Sequence, residues 1–131
     1  MKDLLCDEFQ ETVGELLIRH QSILDVITKY QESCARTNRA VVKAVTNCGC
    51  LKVEAEKHPL PPDASLEDLR KLRDSHLRGK ICDQCREIVE DEIGRSLFYL
   101  AALCNILDIN LYDCFIKEHK KLNTLSIFNM R

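Results

Sequence analysis

The stretch from Cys82 to Leu107 constrains this chain more than any other. It opens with Cys82-Asp83-Gln84-Cys85, passes the acids Glu87, Glu90, Asp91 and Glu92, and closes in Leu97-Phe98-Tyr99-Leu100-Ala101-Ala102-Leu103-Cys104. Val89, Ile93, Ser96, Leu97, Leu100, Cys104 and Leu107 recur at the spacing of one helical face. Ile88, Tyr99, Leu103 and Ile106 widen that stripe, and Phe98 and Ala101 cover much of the remaining surface. A helix apolar on most sides is expected to be buried on most sides. This is the pattern of the central helix of a small all-α domain. Glu92 falls inside the arc, between Ile88, Val89, Ser96 and Tyr99. A carboxylate there needs a partner, because burying it bare is costly.

The segments around this helix also read as helices. In residues 3–19, Leu5, Phe9, Val13 and Leu16 share a face and Asp3 is the expected N-cap. A second helix is expected from Ser22, with Asp25 in a capping-box variant, to about Asn47. Its expected buried stripe is Ile23, Leu24, Ile27, Cys34, Ala35, Val41, Val42 and Val45, with Gln31 and Asn38 in its middle. Arg36 and Lys43 fall on the opposite, solvated side, which makes Asn38 a better partner for Glu92 than Arg36. Gly49 ends the helix. Leu51 to Glu56 suits a short strand, and His58-Pro59-Leu60-Pro61-Pro62 reads as a linker. Ser65 with Asp68 caps a short charged helix expected to reach about Arg78, and Gly79 breaks the chain. Asp108-Ile109-Asn110 is a turn. Asn110 with Asp113 caps a last helix over roughly 111–121, and an irregular or docked tail follows from Asn123. The expectation is one domain over residues 1–131, a bundle of about five helices with a metal-stapled loop around 48–85.

Eight cysteines is a high count for 131 residues, and no secretion signal accompanies them, so a disulfide framework is the weaker explanation. Cys48-x-Cys50 and Cys82-x-x-Cys85 have ligand-like spacing, because one turn can present two sulfurs. Four thiolates around Zn²⁺ make a closed, structural site. His58 and His76 are substitutes for one ligand. An iron–sulfur cluster, a redox dithiol or free thiols are the alternatives. Cys34 and Cys104 lie on apolar faces and read as core thiols, and nothing supports a Cys–His nucleophile.

The charge pattern excludes more than it suggests. A net charge of −2 with mixed signs gives no case for nucleic acid or an anionic membrane. No apolar run is long enough to span a bilayer, so the expected place is the cytoplasm. Arg70, Lys71, Arg73 and Arg78 are interleaved with acids, which also argues against nucleic acid. Glu87, Glu90, Asp91 and Glu92 lie close enough on a helix to share a hard cation such as Mg²⁺. For Glu87 and Asp91, a solvated face near the positive end of the helix explains the acids equally well.

Glu90-Asp91-Glu92-Ile93-Gly94-Arg95-Ser96-Leu97-Phe98-Tyr99-Leu100-Ala101-Ala102-Leu103, then Leu107-Asp108-Ile109-Asn110-Leu111 and Lys117-Glu118-His119-Lys120-Lys121, resembles the MazG-like nucleotide pyrophosphohydrolases. The likeness lies in the C-terminal third. It implies an all-α bundle, a dimer, a nucleotide ligand, and Mg²⁺-dependent cleavage of nucleoside triphosphates to monophosphate and pyrophosphate. The family's ligands are a Glu-x-x-Glu pair on one helix and a Glu-x-x-Asp pair on the next. Glu92 matches the Glu of the second pair, but Arg95 stands at the Asp position. The facing helix offers Gln31, Glu32, Ala35 and Asn38 where carboxylates belong. Amides are weaker donors to Mg²⁺, and an arginine repels it. The likeness therefore implies a relative without the magnesium centre, in which Glu92 is held by Asn38, Gln31 or Arg95. The chain also resembles small bacterial proteins with the same Cys-Gly-Cys and Cys-x-x-Cys pairs, a likeness that carries no function. The expected role is non-catalytic binding or regulation with a structural zinc. An active pyrophosphohydrolase using Glu87, Glu90, Asp91 and Glu92, and a thiol redox sensor, are the alternatives.

Overall fold

A computed structural model describes residues 4–17, 22–57, 61–71 and 73–129, with side chains to Leu125. Helix makes up 74% of the described residues, so the all-α expectation broadly holds, with a two-stranded sheet added to it. The elements run α1 (Leu4–Leu16), α2 (Ile23–Lys43), a π-turn (Ala44–Cys48), β1 (Leu51–Val53), α3 (Leu66–Lys71), β2 (Leu77–Gly79), α4 (Asp83–Ile106) and α5 (Leu111–Asn129). They form two compact units, one of residues 1–37 with 91–131 and one of residues 38–90.

In the first unit, short polar side chains set the helix ends. The Ser22 hydroxyl accepts the Leu24 N–H at 3.3 Å, and the Asn110 side-chain oxygen accepts the Asp113 N–H at 2.8 Å. Each satisfies a donor that has no partner within its helix. Asp3, and the expected extension of the first helix past Leu17, lie outside the described residues. The last helix does not stop near 121 but continues to Asn129. No Gly or Pro interrupts it, and the Thr124 hydroxyl bonds back to the Lys120 carbonyl.

The core of this unit is Val13, Val26, Ala101 and Ala102, with Leu17, Phe98, Leu103 and Leu111 packed against it. Burying each valine contributes about 1.5–3 kcal/mol. The three expected apolar stripes are only partly buried. Leu5, Leu16, Leu24, Ile27, Ile93, Leu97 and Leu107 are all exposed, so the central helix is not covered on most sides. On α2 the buried face instead carries Val26 and Ser33, and the Ser33 hydroxyl is satisfied by the Tyr30 carbonyl. On α1 the buried residues are Val13, from the expected stripe, and Gln10, which lies off it. Gln10 is 8% exposed, and its amide donates to the Ile109 carbonyl at 2.7 Å and accepts the Leu111 N–H at 2.8 Å. Asn105 returns a bond to the Gln10 carbonyl. These bonds clamp the α4–α5 corner, where Asp108 has a left-handed φ of 56°.

In the second unit, β1 pairs antiparallel with β2, Leu51 opposite Gly79 and Val53 opposite Leu77. The charged helix from Ser65 has the expected reciprocal cap, Ser65 N–H to Asp68 and Asp68 N–H to the Ser65 hydroxyl, each 3.2 Å. It ends at Lys71, well before Arg78. Beyond it, side chains take over the backbone: Asp74 accepts the His76 N–H and Ser75 the Leu77 N–H. Such local bonds compete with helix. Arg78 then reaches Asp74 through both guanidinium ends, at 3.0 and 2.9 Å.

Candidate metal centre

Four cysteines converge in the second unit. Cys48 ends the π-turn, Cys50 precedes β1, Cys82 lies just before α4 and Cys85 is in its first turn. Their sulfurs all lie within 4.8 Å of one another. Cys48 and Cys82, from the two different pairs, are 3.8 Å apart.

The backbone that sets this geometry is specific. The π-turn closes on Gly49, whose φ of 80° is left-handed and whose N–H bonds the Ala44 carbonyl at 3.0 Å. That reversal aims Cys48 and Cys50 at one point, and the Cys50 thiol also meets the Ala44 carbonyl at 3.7 Å. The strand pair carries Cys50 alongside Gly79, and three residues later the chain delivers Cys82. Gly79 has a φ of 86°, and a Cβ there would lie 2.6 Å from the Cys50 carbonyl oxygen. Only glycine fits that approach. Buried Ala44 and Leu51 underlie the site.

The sulfurs perturb one another. The Cys85 backbone N–H donates to the Cys82 sulfur at 3.4 Å, and that bond first, then the Cys85 thiol, lowers Cys82 to about 7. Cys85 is pushed up to about 12, chiefly by its bond to the Cys82 sulfur. Crowded thiols resist sharing several negative charges, and a cation among them reverses that cost.

His76 is not part of this group. Its ring accepts the Glu56 N–H at 3.4 Å within the strand pair. His58 lies outside the described residues. Beside the sulfurs is a cavity of about 380 Å³ lined by Ala40, Lys43, Ala44, Asn47, Cys48, Gln84, Cys85 and Ile88.

The acids of α4 do not gather. Glu87, Glu90 and Asp91 are exposed, while Glu92 is mostly buried, with 13% of its side chain exposed. Its partner is Arg36, not Asn38, Gln31 or Arg95. Arg36 Nε meets one carboxylate oxygen at 3.1 Å and Nη2 the other at 3.2 Å. The two bonds from Arg36, followed by its charge, hold Glu92 below the usual carboxylate range. One turn away the Thr37 and Ser96 hydroxyls meet at 3.3 Å. The face of α2 turned to Glu92 therefore carries Arg36 and Thr37, a rotation away from the apolar stripe. Gln31, Glu32 and Ala35 are exposed, and Glu32 pairs with Lys29 at 3.2 Å.

The strand Leu77–Gly79 and the Arg36–Glu92 pair are the features sequence reasoning missed. A glycine three residues before a ligand pair, with a three-residue apolar-basic match to Leu51–Val53, was the available signal for the strand. No family model matches the chain, nor does any curated protein or solved structure. Among the described residues, no single helix is long and apolar enough to cross a membrane.

Proposed function

We propose that this chain is a zinc-binding, MazG-like helical protein with a binding or regulatory role rather than a catalytic one. The cluster of four sulfurs carries the reading. A tetrahedron with Zn–S bonds of about 2.3 Å has edges of about 3.8 Å, and Cys48 and Cys82 stand at 3.8 Å. A multinuclear iron–sulfur cluster needs its cysteines farther apart, so the spacing favours a single thiophilic ion. Cys48, Cys50, Cys82 and Cys85 would hold it and leave no open position for substrate, so its contribution is to fix the loop.

The non-catalytic half of the reading rests on Glu92. Both its oxygens already receive the Arg36 fork, so a Mg²⁺ ion would have to displace a guanidinium. The test is metal content and turnover on protein purified under reducing, chelator-free conditions. One equivalent of zinc per chain, lost in both Cys48→Ser and Cys82→Ser, with no Mg²⁺-dependent hydrolysis of nucleoside triphosphates, is the expected result. Metal-free protein overturns the first half. Hydrolysis abolished by Glu92→Gln overturns the second and establishes the pyrophosphohydrolase.

The exposure of Cys48 and the lowered Cys82 favour one second reading, a thiol redox sensor. It requires a reversible Cys82–Cys85 disulfide with metal release under mild peroxide, where the structural reading requires retention.

A further inference from the structure

The eight cysteines divide evenly between the two units. Cys48, Cys50, Cys82 and Cys85 form the metal centre of the second, and Cys6, Cys34, Cys104 and Cys114 belong to the first. Three of the latter gather where α1 meets the α4–α5 corner. The hydrogen bonds there follow one direction. Asn105 meets the Gln10 carbonyl, the Gln10 side chain meets Ile109 and Leu111, and the Asn110 amide donates to the Asp7 carboxylate at 3.0 Å. Going back along α1 goes forward into α5. Cys6 lies one turn before Gln10, on the same side of its helix. Cys114 lies one turn after Asn110, whose carbonyl accepts its N–H at 3.3 Å. The next step of the series brings Cys6 to Cys114. Cys104, 7% exposed, reports both: burial first, then the charges of Cys114 and Cys6, push its thiol up.

We propose that Cys114 and Cys6 form an oxidation site for a small peroxide, closing a disulfide that fastens α1 to α5. Cys114 is exposed and Cys6 half-buried, so peroxide reaches Cys114 first. Its thiolate attacks one peroxide oxygen. An S–O bond forms, the O–O bond breaks, and the departing oxygen takes a proton and leaves as water. The Cys6 sulfur then attacks the Cys114 sulfur. An S–S bond forms, the S–O bond breaks, and the hydroxide leaves with the Cys6 proton as a second water. Two thiols lose two electrons and one peroxide gains them. Cys104 takes no part in the first step, because the thiolate is the reacting form and its proton is firmly held. The link spans more than a hundred residues, and a cross-link that long constrains the unfolded chain strongly. It ties covalently what Gln10 ties by hydrogen bonds.

This inference goes beyond the metal reading and is tested apart from it. Hydrogen peroxide is added to the full, metal-retaining chain, and peptides are mapped without reductant. The map should show Cys6 joined to Cys114 with the loss of two hydrogens, and it reads the four metal thiols separately. The urea midpoint should rise on oxidation and return with reductant. In Cys6→Ser, Cys114 should persist as a sulfenic acid that dimedone captures, and the midpoint should not rise. Cys114→Ser should leave Cys6 unlabelled by dimedone. A Cys104–Cys114 link, a link between two chains, or Cys114 carried on to sulfinic acid while Cys6 stays reduced overturns the proposal.

Discussion

Replacing Gly79 by alanine tests whether the strand pair sets the metal geometry. Two costs arise there. A left-handed φ costs an L-residue about 1–2 kcal/mol. The new Cβ would also sit 2.6 Å from the Cys50 carbonyl oxygen, a backbone atom that cannot swing aside. Relief requires Cys50 to move by about 0.8 Å, against a tolerance in ligand distance of about 0.2 Å. The two terms together come to about 3 kcal/mol, a loss of more than a hundredfold in metal affinity. Metal binding and closure of the loop are coupled, so the strain is read out as lost affinity. Gly49→Ala is the internal control: its φ is +80°, yet nothing lies within 4 Å of the added carbon. It should cost about 1–2 kcal/mol, near tenfold. The assay is competition for zinc against a chromophoric chelator under reducing conditions. Equal losses in the two variants would refute the claim that Gly79 positions Cys50.

Other consequences can be checked alongside it. Gln10→Ala leaves the Ile109 carbonyl and the Leu111 N–H unpaired beside the core, and should cost about 2–4 kcal/mol in urea unfolding without loss of metal. Cys82→Ser should remove a thiolate ligand and replace the sulfur that accepts the Cys85 N–H with a hydroxyl, abolishing the charge-transfer bands of cobalt-substituted protein. Zinc uptake at pH 8 should release protons, Cys85 contributing because it stays protonated up to about 12, and calorimetry in buffers of different ionisation enthalpy measures this. Glu92 has a lowered native pKa, so its contribution is complete above the unfolded value of about 4.3 and fades as pH falls through the native one. Glu92→Gln should flatten the acid limb of the stability–pH curve, and an unchanged limb would count against the Arg36 pairing.

Helices were legible in this sequence wherever a short polar residue stood before a periodic run, as Ser22, Ser65 and Asn110 do. The cysteine pairs were legible by spacing alone, because a thiolate site needs no more than two close pairs. Faces were less legible than elements. Apolar periodicity marks a surface that avoids water, but it does not say whether the covering group belongs to the same chain. On α2 the apolar stripe is open, while the helix buries Val26 and Ser33, small residues that permit close approach. Arg36 belongs to that rotated face, and its length lets it reach Glu92 from the flank. Leu51 to Glu56 was legible as a short strand, but its partner Leu77–Gly79 was hidden because so short a run carries no period. Leu77–Gly79 exists through its pairing with Leu51–Val53 more than twenty residues earlier, which local reading cannot register.

The clamp at Gln10 has a consequence for how the chain is made. Its partners, Ile109 and Leu111, lie 99 and 101 residues farther along. During synthesis α1 leaves the ribosome about a hundred residues before the groups that lock it in place. Cys48 to Cys85 are all available well before then, so the metal loop can close while the first helix is still waiting. A chain interrupted after the loop would carry a complete metal centre and an unsecured α1, whose Val13, buried in the finished fold, would then be open to chaperones and proteases.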